Sequence, residues 1–88
     1  MRRKQIGVAE MPTVLRWGPY RVFFYSAEGN EPPHVHVRNG SMEAKFWLHD
    51  WSVAINVGYA SHEIGDILRY LRPRHKELLD AWNEHFGT

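Results

Sequence analysis

Hydrophobic and polar residues alternate most regularly over residues 34–47, where the pattern predicts a β-hairpin. Asn39-Gly40 separates two alternating runs, and both residue types tolerate the positive φ of a tight turn. With these residues as the turn, His36 would face Glu43 across the hairpin. The apolar face would carry Val35, Val37, Met42, Ala44 and Phe46, and the polar face His34, His36, Arg38, Glu43, Lys45 and Trp47.

β-branched and aromatic residues flank Gly18-Pro19 and predict an earlier hairpin, with strands from Thr13 to Trp17 and from Tyr20 to Ser26. A connector follows, because Gly29-Asn30 can reverse the chain and Pro32-Pro33 cannot donate to a ladder. After the second hairpin, residues 53–57 alternate as a short fifth strand does.

Apolar residues keep one helical stripe from residue 64 to residue 86, which is typical of an amphipathic helix lying on a core. Pro73 interrupts this stripe, and a proline inside a helix costs about 3 kcal/mol. We therefore predict two nearly collinear helices, Ser61 to Leu71 and Pro73 to Phe86. The Ser61 side chain would cap the first helix, with Glu63 in its first turn.

Four or five antiparallel strands followed by helix predict a two-layer α+β domain, with the helices on one sheet face. The domain would span residues 11–88, preceded by a mobile basic arm at residues 1–10. The other sheet face would be open, with four basic residues against one acidic residue and a local charge of +3. This face would carry Arg16, Arg21, Phe23, Tyr25, His34, His36, Arg38, Glu43, Lys45 and Trp47.

Composition narrows the function classes. A chain of 88 residues fits one domain with one modest core, and 43% hydrophobic residues argue against disorder. The absence of cysteine excludes disulfides, thiolate metal sites and cysteine nucleophiles. A net charge of +1 is too close to neutral to indicate nucleic-acid binding by itself. Without an apolar run of membrane-spanning length or a signal-peptide pattern, we expect a cytoplasmic protein with no membrane partner.

His34 and His36 lie two residues apart on one predicted strand, so their rings project to the same side, close enough to share a divalent metal ion. Glu43, placed opposite His36, would be a third ligand. His49 lies about 20 Å beyond Glu43 along the strand, so it would not join these ligands. No cofactor is required by the sequence, and a divalent transition metal is the candidate.

The same side chains suit metal-independent cleavage of RNA. His34 and His36 would act as base and acid, while Arg38 or Lys45 would hold the phosphate. Each histidine also has a plainer interpretation as a polar residue on a solvated face. His75 and His85, beside the helical stripe, are expected to pack or cap.

Protein binding at the open sheet face is the most economical hypothesis, because it needs no chemistry beyond the residues present and because arginine and aromatic residues are enriched in interfaces. The partner would be a protein encoded nearby or a second copy of the chain, and stacking of single-stranded RNA on the aromatics is the alternative. The residues expected to bind the partner are Arg16, Arg21, Phe23, Tyr25 and Trp47.

Five stretches carry a resemblance to a known family: residues 11–14, 20–26, 31–37, 43–48 and 78–87. Together they resemble the small prokaryotic family of domains of unknown function numbered 4160. Its members are small, stand alone, are often encoded beside another small uncharacterised protein, and are suspected of forming toxin–antitoxin-like pairs. The resemblance implies a binding component of a two-gene module, and it supplies no catalytic residues.

Overall fold

The computed structural model describes residues 13–87, and the predicted arm at residues 1–10 lies outside this range. The described residues contain one five-stranded sheet in which each strand neighbours the strand before it in the chain. All four strand pairs are antiparallel, as predicted. The strands are β1 (Leu15–Trp17), β2 (Tyr20–Phe23), β3 (His34–Asn39), β4 (Met42–Trp47) and β5 (Val53–Val57).

Two helices follow the sheet, α1 (Ser61–Leu71) and α2 (His75–Phe86), with a 3-10 turn at Arg72–Arg74 between them. Pro73 lies inside this turn, so it interrupts neither α-helix. The predicted break is confirmed, and the second helix begins two residues later than the proline. Within residues 13–87, neither helix has the length and apolar character needed to cross a membrane.

The start of α1 differs from the prediction. Its N-cap is Ala60, not Ser61, and alanine has no side-chain acceptor. The Glu63 carboxylate instead accepts a hydrogen bond from the Ala60 backbone N–H at 2.8 Å. The helix start is therefore held by the acidic half of a capping box.

The turn between β3 and β4 is Gly40-Ser41, because Asn39 pairs with Met42. The predicted Asn39-Gly40 turn was wrong by one residue. Gly40 has φ of 61°, whereas Ser41 is not in the positive-φ region. Positive φ at the first central residue alone is the pattern of a type II′ turn, which asks for glycine first.

This register changes the cross-strand partners but not the faces of the hairpin. His36 lies opposite Lys45, and Glu43 lies opposite Arg38. The prediction that Glu43 faces His36 was therefore wrong. Because the pairing moves by two residues, every side chain stays on its predicted side of the sheet.

The core lies between the apolar sheet face and the two helices, as predicted. Val35, Val37, Ala44 and Phe46 are fully buried on the sheet side. The helices contribute the buried residues Ile67, Leu71, Leu78 and Trp82.

Tyr59, between β5 and α1, ties the connection to the sheet. Its side chain is buried, and its hydroxyl donates to the Val37 carbonyl oxygen at 3.0 Å. Burial raises the pKa of Tyr59 to about 12, with added repulsion from Tyr20, Glu63 and Glu43. The hydroxyl thus stays protonated and able to donate at neutral pH.

Replacing Tyr59 by phenylalanine leaves the buried Val37 carbonyl without this donor. We expect Tyr59→Phe to lower the free energy of unfolding by about 1–2 kcal/mol at pH 7, measured in urea. The folded-state pKa of about 12 lies above the reference value of 10.0, so wild-type stability falls as the pH rises through this window. The variant should lack this alkaline loss, and an identical alkaline loss in both proteins would contradict the assignment.

Candidate metal centre

The connector between β2 and β3 folds onto the polar sheet face. It contains one 3-10 turn, Ser26–Glu28, and then passes close to the end of α2. A Cβ at Gly29 would lie 2.6 Å from Cδ1 of Phe86, so only glycine permits this approach without a shift of the ring. The connector places Glu28 and Glu31 against the sheet. The expected local charge of +3 is therefore wrong, because these acids reduce it to +1.

Glu28 meets both histidines of β3 through one carboxylate oxygen. Its Oε1 lies 2.7 Å from Nε2 of His34 and 2.8 Å from Nε2 of His36. Ligand atoms of all three residues lie within 4.8 Å of one another. His34 is fully buried, and the Glu28 side chain is 17% exposed. We call these three residues the Glu28 triad.

The second ring nitrogen of each histidine also faces oxygen. His34 Nδ1 lies 2.9 Å from the Pro32 carbonyl oxygen, which can only accept, so Nδ1 is the donor. His36 Nδ1 is buried and lies 3.2 Å from Glu43 Oε2, although it has no aligned hydrogen-bond partner among the described residues. Each Nδ1 thus lies near an oxygen atom, while each Nε2 points at Glu28.

This arrangement calls for a positive charge inside the triad. A neutral imidazole carries one N–H, and His34 uses it on Pro32. Its Nε2 would then present a lone pair to the Glu28 carboxylate at 2.7 Å, an acceptor against an acceptor. Either a second proton on the ring or a metal ion between the ligands removes this conflict.

The pKa shifts favour the forms that bind metals. Burial raises the pKa of Glu28, but its hydrogen bonds with His34 and His36 outweigh burial and the net pKa is lowered. Burial lowers the pKa of His36, against the opposing effect of Glu28. Glu28 is therefore ionised and His36 tends to be neutral, which are the states in which these side chains ligate metals.

Glu43, the predicted third metal ligand, does not point at the two Nε2 atoms. It accepts from Arg38 Nη2 at 2.9 Å and from the Tyr25 hydroxyl at 3.1 Å. Its nearest imidazole atom is Nδ1 of His36, on the opposite side of the ring from Glu28. The structure therefore does not bring Glu43 to the two Nε2 atoms, and the carboxylate that lies beside them is that of Glu28.

Sequence reasoning missed Glu28 because it lies in a turn-rich connector that has no periodic pattern. One signal was present: the paired prolines start β3 at a fixed angle, and a glutamate precedes His34 by six residues. A returning connector of that length can bring a carboxylate beside the start of the strand.

The two predicted phosphate-holding residues are already paired with carboxylates. Arg38 bonds Glu43, and Lys45 Nζ lies 2.6 Å from Glu31 Oε1. Lys45 is buried, and its ammonium also lies 4.6 Å from the centre of the Trp47 ring. Neither cation is presented to a phosphate in this conformation.

Phe23, one of the predicted partner-binding residues, is fully buried, so its predicted exposure was wrong. The guanidinium carbons of Arg21 and Arg38 lie 4.5 and 4.8 Å from the centre of its ring, and the His36 ring is at 5.5 Å. Long side chains of the same sheet face cover it. Of the other predicted partner-binding residues, Arg16 is exposed and Arg21, Tyr25 and Trp47 are half-buried.

The remaining histidines lie apart from the triad. His49 is 65% exposed and lies near Asp50. His75 Nε2 is 3.0 Å from the Leu48 carbonyl oxygen, and His85 packs edge-on against Phe86. The expectation that His75 and His85 serve structure is consistent with these contacts.

A model of the family described as Domain of unknown function (DUF4160) matches residues 20–83. This match covers more than half of the 88 residues. No curated protein and no solved structure matches the chain. The family description carries no activity, so the functional argument rests on the site.

The Lys45–Glu31 ion pair can be used to test how well the polar sheet face excludes solvent. We expect Glu31→Gln to lower the free energy of unfolding by about 1–2 kcal/mol in urea, because the buried ammonium loses its charged partner. Asp80→Asn is the matched control, since Lys76 and Asp80 are 87% and 61% exposed. Such exposed pairs contribute little to stability, so this variant should unfold almost as wild type does. Equal losses in the two variants would show that the Lys45 pair is open to solvent.

Proposed function

Because the chain belongs to the family Domain of unknown function (DUF4160), whose description names no activity, we propose a function from its geometry. The protein binds one divalent first-row transition-metal ion through Glu28, His34 and His36. One observation carries this proposal: two imidazole Nε2 atoms and a carboxylate oxygen converge, while each Nδ1 lies beside oxygen.

The orientation of the rings is the one that metal-binding histidines adopt. Such histidines usually donate the other ring N–H to a backbone carbonyl or carboxylate, which leaves the ligating nitrogen with its lone pair. Pro32 supplies a carbonyl for His34, and Glu43 supplies a carboxylate near His36. Glu43 is then a positioning residue for the centre.

The three ligand atoms lie within 4.8 Å of one another, so an ion would bind between them after an adjustment of Glu28 and of the two imidazole rings. Bonds of about 2.0–2.1 Å in a tetrahedral centre keep ligand atoms roughly 3.3 Å apart. The present separations from Glu28 Oε1 are 2.7 and 2.8 Å, so Glu28 has to withdraw by about half an ångström. It can do so because it lies on a connector and is partly exposed, whereas the histidines lie on a central strand.

Ligand chemistry selects the class of metal. Two imidazoles suit Zn²⁺ and the neighbouring first-row ions, whereas Mg²⁺ and Ca²⁺ prefer sets of oxygen ligands. Three protein ligands leave room for a water molecule or a small ligand, in the manner of centres that keep an open position. The partly exposed Glu28 is the side from which solvent reaches the ion.

The ribonuclease hypothesis receives less support from the geometry. Both proposed proton-transfer nitrogens face the same Glu28 oxygen, and His34 is fully buried. A phosphodiester would also approach a face that carries Glu28, Glu31 and Glu43, which repel its charge.

Titration of Zn²⁺ into chelator-treated protein should give one binding site by calorimetry. We expect Glu28→Gln to weaken Zn²⁺ by at least roughly 10-fold, because loss of even an orienting residue costs 10- to 100-fold. His36→Gln should weaken Zn²⁺ binding more than Glu28→Gln does. Co²⁺ should give the visible absorption of a four- or five-coordinate centre, and Mg²⁺ in excess should not displace it.

His62→Ala is the matched control, because His62 is exposed on α1 and belongs to no part of the triad. Urea unfolding of the metal-free variants separates loss of binding from loss of folding. Equal Zn²⁺ affinity in wild type and a folded Glu28→Gln/His36→Gln variant would refute the proposal, as would loss of affinity in His62→Ala.

The ribonuclease hypothesis has its own test. We expect purified protein in excess chelator to leave single-stranded RNA intact at every pH from about 5 to 8, the range in which histidine changes charge. Gel analysis of the RNA and of its ends measures cleavage. Cleavage that yields cyclic-phosphate ends and is lost in His36→Gln would reverse this conclusion.

A further inference from the structure

A bulge in β5 determines which of its side chains reach the polar sheet face. Phe46 pairs with Val53, whereas the preceding residue, Lys45, pairs with Ile55, so Ala54 is the extra residue. A bulge of this kind redirects the side chains that follow it. Val53 therefore shares the core face with Phe46, and Ile55 shares the polar face with Lys45.

Ile55 and Val57 form the apolar wall of a cavity on the polar face. The cavity measures about 320 Å³, at the small end of the range for small-molecule sites. Ile55 and Val57 are 52% and 57% exposed, although both are large apolar residues. The polar wall is formed by His36, Ser41, Glu43 and Lys45. An apolar surface beside a few polar groups is the usual composition of a ligand site.

The charges of the polar wall are balanced from outside the cavity. Glu43 accepts from Arg38 Nη2 at 2.9 Å, and Lys45 donates to Glu31 at 2.6 Å. Neither Arg38 nor Glu31 lines the cavity. A charged ligand would lose its hydration here without meeting an uncompensated charge, which is costly. The cavity therefore favours an uncharged ligand.

The Glu43 carboxylate determines which polar group such a ligand needs. An ionised carboxylate only accepts hydrogen bonds, and its two oxygens offer about four lone-pair sites. Oε1 of Glu43 accepts from Arg38, and Oε2 accepts from the Tyr25 hydroxyl at 3.1 Å. Oε2 can accept one further bond, so the matching group on a ligand is an O–H or N–H donor.

We propose that this cavity binds an uncharged amphipathic small molecule. A branched aliphatic part of the ligand packs against Ile55 and Val57, and its hydroxyl or amide group donates to Glu43. Removing the two exposed side chains from water supplies most of the affinity. For a ligand with few carbon atoms and one hydrogen bond, we expect a dissociation constant on the order of 1 mM. This inference does not depend on the metal centre.

NMR titration of the labelled full chain in excess chelator tests the proposal with probes that share one carbon skeleton. Isoamyl alcohol should shift the methyl signals of Ile55 and Val57 until they saturate. Isoamyl methyl ether keeps the oxygen but has no donor, so it should bind at least roughly 5-fold more weakly. Isoamylammonium and isovalerate carry a charge and should bind at least roughly 10-fold more weakly.

Threonine substitutions in β5 test the position of the ligand, because threonine replaces a methyl group by a hydroxyl and still favours a strand. Ile55→Thr/Val57→Thr should weaken isoamyl alcohol by at least roughly 5-fold, because the apolar wall is lost. Val53→Thr is the matched control, since Val53 lies on the other sheet face, and it should leave the affinity unchanged. The amide spectrum shows whether each variant is folded, and Val57→Thr alone replaces the double variant if that does not fold.

Three results would overturn the proposal. The first is the absence of a saturable shift at Ile55 and Val57 up to about 50 mM isoamyl alcohol, far above the expected dissociation constant. The second is an ammonium or carboxylate probe that binds as tightly as the alcohol. The third is an affinity that the β5 polar-face substitutions leave unchanged, or that Val53→Thr lowers equally. Because chelator is present throughout, none of these outcomes bears on Zn²⁺ binding by the Glu28 triad.

Discussion

One carboxylate oxygen, Oε1 of Glu28, lies within hydrogen-bond distance of two imidazoles, and the polar face of the sheet depends on this contact. His34 and His36 are buried on a sheet whose other face is already core, so their ring nitrogens need partners from the protein itself. The connector brings that partner. Glu31 meets the same need for Lys45, and Glu43 meets it for Arg38.

A second apolar centre forms under these ion pairs. Phe23 is fully buried, yet it lies on the face away from the helices, beneath the guanidiniums of Arg21 and Arg38. Cations over an aromatic ring are attracted by its π-electrons while their stems exclude water. The pairing of Arg38 with Glu43 therefore also holds the cover over Phe23 in place. On this face, long polar side chains bury Phe23 in place of a third layer of secondary structure.

The parts of the fold that follow from local chemistry were predictable. Alternation of period two assigned the hairpin side chains to their faces, and the assignment survived a wrong turn because the register moved by two residues. Pro73 marked the break between the helices, because proline removes a backbone hydrogen bond and clashes with the preceding helical turn, and both effects are local. The turn itself was ambiguous, since Asn39-Gly40 and Gly40-Ser41 both supply a residue suited to positive φ.

The parts that depend on the connector were not predictable from pattern. Whether Glu28 reaches His34 and His36 depends on how the connector closes over the sheet, and no periodic pattern in the sequence specifies that path. The burial of Phe23 likewise depends on where two arginine side chains settle. Exposure of a sheet face was inferred from the absence of a second helical layer, and side chains of the sheet closed it instead.

The closeness of the triad residues along the chain has a consequence for the order of folding. Glu28 and His36 are eight positions apart, and every strand of the sheet pairs with its neighbour in sequence, so most of the contacts around the centre close short loops. Short loops close early because little chain entropy is lost. We expect the triad to assemble with the first hairpins, before α2 docks. A metal ion would then act on a nascent intermediate as well as on the finished protein, accelerating folding more than it slows unfolding.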